Sequence, residues 1–153
     1  MSPGAEGTPL KVELKDLSVT YLSRDGVGTE AVRDVSLEVH DKPGVGEIVV
    51  FLGPSGCGKS TILKAVAGLL LPTKGEVLVD GKKVDGVGRD RGMVFQAYTS
   101  FAWLTVRGNV EYGLKLQGIP SGARRELAKK VLEKVGLLDF AERYPKDLSG
   151  GMK

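Results

Sequence analysis

The chain has 153 residues, with 22 lysines and arginines against 19 aspartates and glutamates, a formal charge of +3. Apolar residues make up 41% and charged residues 27%, the balance of a globular chain of about one domain. The charge suits small anions and is too slight and too interspersed for a nucleic-acid surface; no apolar run approaches the roughly 20 residues of a membrane helix; one cysteine and one histidine exclude an internal disulfide and a multi-histidine metal site.

Residues 1–9, "MSPGAEGTP", are small, polar and rich in proline and glycine, and are expected to form a flexible tail without the apolar segment of a secretory leader. Residues 10–153 are expected to form the folded part. "LKVELKDLSVTYL" alternates in the β manner, with Val12, Leu14, Leu17, Val19 and Tyr21 as inward candidates. "EAVRDVSLEVH" follows after the turn "SRDGVGT", which predicts an antiparallel hairpin, and "DKPGVG" is a further turn. "EIVVFL" is almost continuously apolar, the mark of a strand buried on both faces in a parallel sheet. It leads into "GPSGCGKS" and then "TILKAVAGLLL", expected as a helix running to Pro72. "GEVLVDG" reads as a short strand and "MVFQ" as a strand end. "TVRGNVEYGLKLQG" is expected as a helix facing inward through Val106, Val110, Leu114 and, more loosely, Leu116, stopped by Gly118 and Pro120. "SGARRELAKKVLEKVG" is the clearest amphipathic helix, with Leu127, Val131, Leu132 and Val135 on one face. No internal repeat is visible. The order of elements predicts an α/β fold: a core with a parallel sheet, an antiparallel β attachment and the beginning of a helical part.

Gly53-Pro54-Ser55-Gly56-Cys57-Gly58-Lys59-Ser60 satisfies the phosphate-loop pattern G-x-x-x-x-G-K-[ST]. Its glycines let successive backbone N–H groups turn toward one phosphate, and the helix that follows adds its unpaired N-terminal amides. Lys59 can reach the β- and γ-phosphates as a point charge, the Ser60 hydroxyl can ligate Mg²⁺, and Thr61 can add a phosphate contact. A bare glycine-rich turn would lack the buried-type strand before it and the helix after it. Cys57 is either a small filler or a thiol activated by the helix terminus, and ATP should shield it from maleimide if the loop is placed correctly.

Together with the phosphate loop, "GMVFQ" ending at Gln96 and "LSGGM" from Leu148 to Met152 stand in an order that resembles the ATP-binding subunits of ABC transporters. The resemblance runs from about Leu10 to Lys153 and includes the P-loop NTPase fold. "FAWLTVRGNVEYGL" looks most like the importers of nitrate, sulfonate, taurine and related small anions. The resemblance implies ATP and Mg²⁺ as cofactors and ATP hydrolysis coupled to solute import at the inner face of a membrane. It implies two partners, a second ATP-binding subunit paired head to tail and a transmembrane permease.

Residue by residue, Tyr21 resembles the aromatic that stacks on adenine, against the alternative of a core or surface tyrosine. Gln96 resembles the glutamine that contacts Mg²⁺ and the attacking water; with Lys59 it is the catalytic candidate. Ser149, Gly150 and Gly151 resemble the signature that reaches the γ-phosphate of the opposite subunit's ATP. Trp103, followed by Leu104, suits docking of a helix from the permease or a place in the local helical core.

The resemblance also implies parts that do not follow Met152 here: an apolar strand ending in aspartate, then glutamate, and a switch histidine. "EVLVDG" offers Asp80 but no carboxylate after it and stands before Gln96, and His40 precedes the phosphate loop, so neither substitutes. The expectation is therefore a chain cut short after the signature, deficient in hydrolysis alone, with Ile48–Phe51 as an exposed sheet edge. The alternative is a short regulatory protein that binds ATP without hydrolysing it and pairs with a full-length subunit.

Overall fold

A computed structural model describes residues 9–42 and 44–153. The expected tail, except for residue 9, lies outside the described residues. The stretch expected as one partial domain comprises two compact units, one up to Met93 and the other Val94–Lys153.

The first unit is built on two long antiparallel strands, β1 (Leu10–Leu22) and β2 (Gly28–His40), joined by the expected turn. β3 (Lys74–Val79) pairs antiparallel with the other edge of β1, and β4 (Lys82–Lys83) with β3, giving the order β2-β1-β3-β4. The two-residue turn Asp80-Gly81 between β3 and β4 has both φ angles positive, as a tight hairpin requires. Simple alternation cannot put both Leu14 and Leu17 inside, because they are an odd number of residues apart. A bulge at Asp16, with φ 47°, resolves this: Leu14, Leu17 and Val19 are all almost fully buried.

β2 repeats the device at Asp34, with φ 46°, and the two bulges are clipped together reciprocally. The Ser36 hydroxyl accepts from the Asp16 N–H at 3.0 Å and donates to the Asp16 carboxylate at 2.9 Å. The Ser18 hydroxyl does the same for Asp34, at 2.9 and 3.0 Å. The two serine hydroxyls thereby satisfy the Asp16 and Asp34 N–H groups at the bulges, and the two carboxylates hold the hydroxyls in place.

One helix, α1 (Lys59–Val66), covers this sheet, with Ile62 and Ala65 joining Leu14, Val19, Val32 and Val77 in the core. It ends well before Pro72, where the sequence placed its limit. Gly68 adopts φ 74° just past the cap, and a side chain there would collide with the Gly86 carbonyl at 1.9 Å.

The expected buried strand "EIVVFL" is not a paired strand among the described residues. Ile48 is 91% exposed and Leu52 89%. "MVFQ" is likewise unpaired, with Val94 98% exposed. Apolar character alone does not make a strand: a ladder partner must be present, and β1–β4 pair only with one another. The α/β class stands, and its ordered sheet is the antiparallel one.

The second unit contains α2 (Val106–Leu116) and α3 (Ser121–Lys134), packed on each other. The Thr105 hydroxyl caps α2 by accepting from the Gly108 N–H at 3.1 Å. The core is Val106, Leu132 and Leu148, with Val110, Leu137 and Met152 packed around it. Of the expected α3 face only Leu132 is buried. Leu127, Val131 and Val135 are exposed, and Ala128, which the pattern passed over, is fully buried. An alanine carries little apolar weight, so a pattern read from hydrophobicity passes over it even where it is buried.

Candidate functional site

The loop 53–58 leaves the apolar run and turns into α1 through Gly58, the helix N-cap, with φ 94°. A Cβ at this position would stand 2.6 Å from the Ala31 carbonyl oxygen and 3.1 Å from Val32, so only glycine allows the loop to lie directly on β2. The first helical hydrogen bond runs from the Ile62 N–H to the Gly58 carbonyl at 3.0 Å. The amides before it have no partner within the helix, and no acidic residue occupies the first turn to compete for them. The arrangement suits an anion.

The Lys59 ammonium folds back into the loop. It donates to the carbonyls of Gly53 at 2.8 Å and Pro54 at 2.6 Å, and stands 3.4 Å from the Cys57 sulfur. A cation at that point marks where the negative charge of a ligand would be balanced. Pro54, Ser55, Gly56 and Cys57 are exposed along the loop, so a ligand can approach it from solvent. Ser60 is exposed while its neighbour Thr61 is buried. A single exposed hydroxyl fits a divalent cation held chiefly by phosphate oxygens and water, the usual mode for Mg²⁺. Among the described residues no group of three or more His, Cys, Asp or Glu side chains could hold a metal by itself.

Tyr21 lies near the end of β1, 40% exposed, opposite Thr29 of β2. Its hydroxyl is 3.4 Å from that of Thr61, so the tyrosine expected to meet a base reaches the helix that carries the phosphate loop.

In the second unit Gln96 is exposed in a bend. Ser149, Gly150 and Gly151 are exposed at the start of a single 3₁₀ turn, Gly150–Met152, held from beneath by buried Leu148 and by Met152. Lys153 lies over the Tyr98 ring at 5.8 Å, and a Cβ on Gly150 would meet the Tyr98 hydroxyl at 3.0 Å. The segment just past Gln96 therefore touches the signature turn. Trp103 is 73% exposed, which removes the local-core alternative. Its ring leans on Phe101 at 5.3 Å, Phe101 contacts Tyr112 at 4.4 Å, and Trp103 and Leu104 border a depression of about 330 Å³ with Glu111 and Arg124.

A family model described as ABC transporter matches residues 32–153, which include the phosphate loop, Gln96 and the signature. The chain belongs to the ABC transporter family. It is 48% identical over 145 residues to an uncharacterised ABC transporter ATP-binding protein of Methanocaldococcus jannaschii, covering 94% of this chain and 53% of the relative. It is 46% identical to the nitrate import ATP-binding protein NrtD of Synechocystis, covering 94% of this chain and 52% of that protein. The taurine import ATP-binding protein TauB of Roseobacter denitrificans is 40% identical, with 93% and 52% covered. Among solved structures, a dimeric ATP-binding cassette in a post-hydrolysis state with ADP and Pi superposes with a TM-score of 0.76 at 34% identity, over 92% of this chain and 64% of that one. The chain thus spans about half the length of the curated relatives it matches.

Two polar clusters of this ABC chain escape sequence reasoning. Asn109 organises the turn that carries Trp103: its carboxamide accepts from the Phe101 N–H at 2.7 Å and donates to the carbonyls of Phe101, Leu104 and Thr105 at 3.1, 3.3 and 3.0 Å. Arg107 forms a fork with Glu142 at 2.7 and 3.0 Å and also donates to Glu111 at 3.0 Å. The Arg107 bond holds the Glu142 carboxyl below its ordinary range, and its two glutamates raise Arg107 further. Arg107–Glu111 has the i,i+4 spacing of a helix, but the fork to Glu142, 35 positions on, and the Asn109 cluster follow no periodic pattern. The echo of Lys15-Asp16-Leu17-Ser18 in Arg33-Asp34-Val35-Ser36 was, by contrast, an available signal for the paired bulges.

Proposed function

We propose that this chain binds ATP and serves in an ABC import subunit that couples ATP binding and hydrolysis to uptake of a small solute of the nitrate, sulfonate and taurine group. The observation that carries the reading is the phosphate loop itself, with Lys59 turned inward over the carbonyls of Gly53 and Pro54 and Gly58 seated on β2. The import relatives NrtD and TauB support the solute class.

In this reading the amides of Gly53 to Thr61 wrap the phosphates, Lys59 leaves its two carbonyls to neutralise the β- and γ-oxygens, and Tyr21 offers its face to adenine. Ser60 and Gln96 would hold Mg²⁺, which when bound neutralises charge on the phosphates. Ser149, Gly150 and Gly151 present a helical start to the γ-phosphate held by a second ATP-binding subunit in a head-to-tail pair. Trp103 and Leu104 offer the permease an exposed aromatic ledge, at the inner face of the membrane. No helix among the described residues is long and apolar enough to cross a membrane.

Labelled ATP titrated into the purified chain should bind at least about tenfold more tightly than to Lys59→Ala, the loss expected for a charge-assisted phosphate contact. Equal binding by the two proteins refutes the role of the loop.

A further inference from the structure

We infer that Tyr21, beyond offering a face to the base, positions the hydroxyl of Thr61 for phosphate, so that base and phosphate recognition are linked through one side-chain pair. This rests on the reading of the loop as an ATP site. Thr61 is 8% exposed and Ser18 4%, the two buried polar residues among those described. The Ser18 hydroxyl is committed to Asp34 within the strand clip. The hydroxyl of Thr61 sits in the first turn of α1 with the Tyr21 hydroxyl as its side-chain partner, 3.4 Å away.

The register puts Tyr21 there. Val19, two residues earlier on β1, is buried in the core with Ile62 and Ala65 of α1, and Tyr21, on the same face by alternation, stands at the exposed margin of that core. Gly58 clamps the start of the helix to Ala31 and Val32 of β2. Ring and helix turn are thus fixed to one hairpin, with the phenol oxygen 3.4 Å from the Thr61 hydroxyl.

A threonine hydroxyl has one proton and two lone pairs. If it is to donate to an anion at the start of α1, its remaining polar contact must be a donor, and Tyr21 supplies one. The chain then runs from the Tyr21 O–H to the Thr61 oxygen, and from the Thr61 O–H to the phosphate. Each bond polarises the next. A separation of 3.4 Å is long for two hydroxyls, so the link is weak until an anion draws the Thr61 proton outward.

A pure stacking platform would affect only ligands that carry a base. The link predicts that Tyr21→Phe, which keeps the ring, also weakens a ligand with no base. Calorimetric titration of the full chain with tripolyphosphate and with ATP, for wild type, Tyr21→Phe, Thr61→Val and the double variant, decides this; circular dichroism checks that each is folded. Tyr21→Phe should lose about three- to tenfold for both ligands, the usual worth of one hydrogen bond. The double variant should lose no more than Thr61→Val, and Thr61→Ser should restore most of the affinity. Unchanged tripolyphosphate binding by Tyr21→Phe, or additive losses in the double variant, overturns the link while leaving the ATP site standing. If tripolyphosphate binds wild type too weakly to measure, additivity in the ATP cycle decides alone. A wild-type chain that binds neither ligand refutes the ATP site and the link together.

Discussion

Gly58 shows how much of the site rests on one residue. Its φ of 94° and its contact with the Ala31 carbonyl mean that the loop can lie on β2 only without a side chain. Gly58→Ala combines the left-handed strain of an L residue, about 1–2 kcal/mol, with a collision against backbone that cannot swing away. The expected outcome is a melting temperature lowered by at least about 4 °C, together with weakened ATP binding. A thermal melt by circular dichroism that matches wild type would show that the loop does not sit on the hairpin. The residue types of the loop were legible in the sequence, because phosphate recognition uses consecutive positions. The Tyr21–Thr61 pair was not, since its partners are 40 positions apart and meet only through the sheet.

Among the elements, α2 and α3 were legible as helices, while their buried faces were only partly so. Leu127, Val131 and Val135 satisfy a helical period yet stay exposed, because the buried side of α3 runs through Ala128 and Leu132, and hydrophobicity does not reward an alanine. The Arg107–Glu142 fork ties α2 to the turn before the signature and gives this unit a pH dependence. Glu142 has its pKa lowered in the folded chain by the Arg107 bond. Its contribution is therefore fully present above the unfolded glutamate value, about 4.3, and is lost as pH falls through the lower folded value. Glu142 is largely exposed, so salt screens the effect and it is small. Trp103, the one tryptophan of the chain, lies in the same unit and reports its unfolding by fluorescence. Denaturant midpoints should fall for wild type between pH 5 and pH 3 more steeply than for Glu142→Gln; parallel curves would show that the fork contributes nothing.

At the scale of the molecule, the run Ile48–Leu52 is a largely exposed apolar segment among the described residues. Ile48, Val49, Val50 and Leu52 range from 53% to 91% exposed, an apolar backbone edge open to pairing with another chain. A single charge should blunt that edge at little folding cost, since Val50 is already 66% exposed. Val50→Lys is expected to lower static light scattering severalfold at concentrations where wild type associates. Association that is unchanged by the lysine would place the contact elsewhere.

By itself the sequence determined the phosphate loop, the order of the three motifs that marks an ABC chain, the antiparallel hairpin and the two helices of the second unit. Each of these depends on residues close together in the chain, on local conformation or on a fixed spacing. Tertiary structure decided what depends on partners. It set the bulges at Asp16 and Asp34 that reconcile two odd-spaced apolar pairs, and the seat of Gly58 on β2. It joined Tyr21 to Thr61, and it left Ile48, Val49, Val50 and Leu52 of "EIVVFL" exposed while Phe51 packs on the core. Apolar sequence gives a segment the tendency to form a buried strand, but burial needs a neighbour, and only the folded chain shows whether one is there.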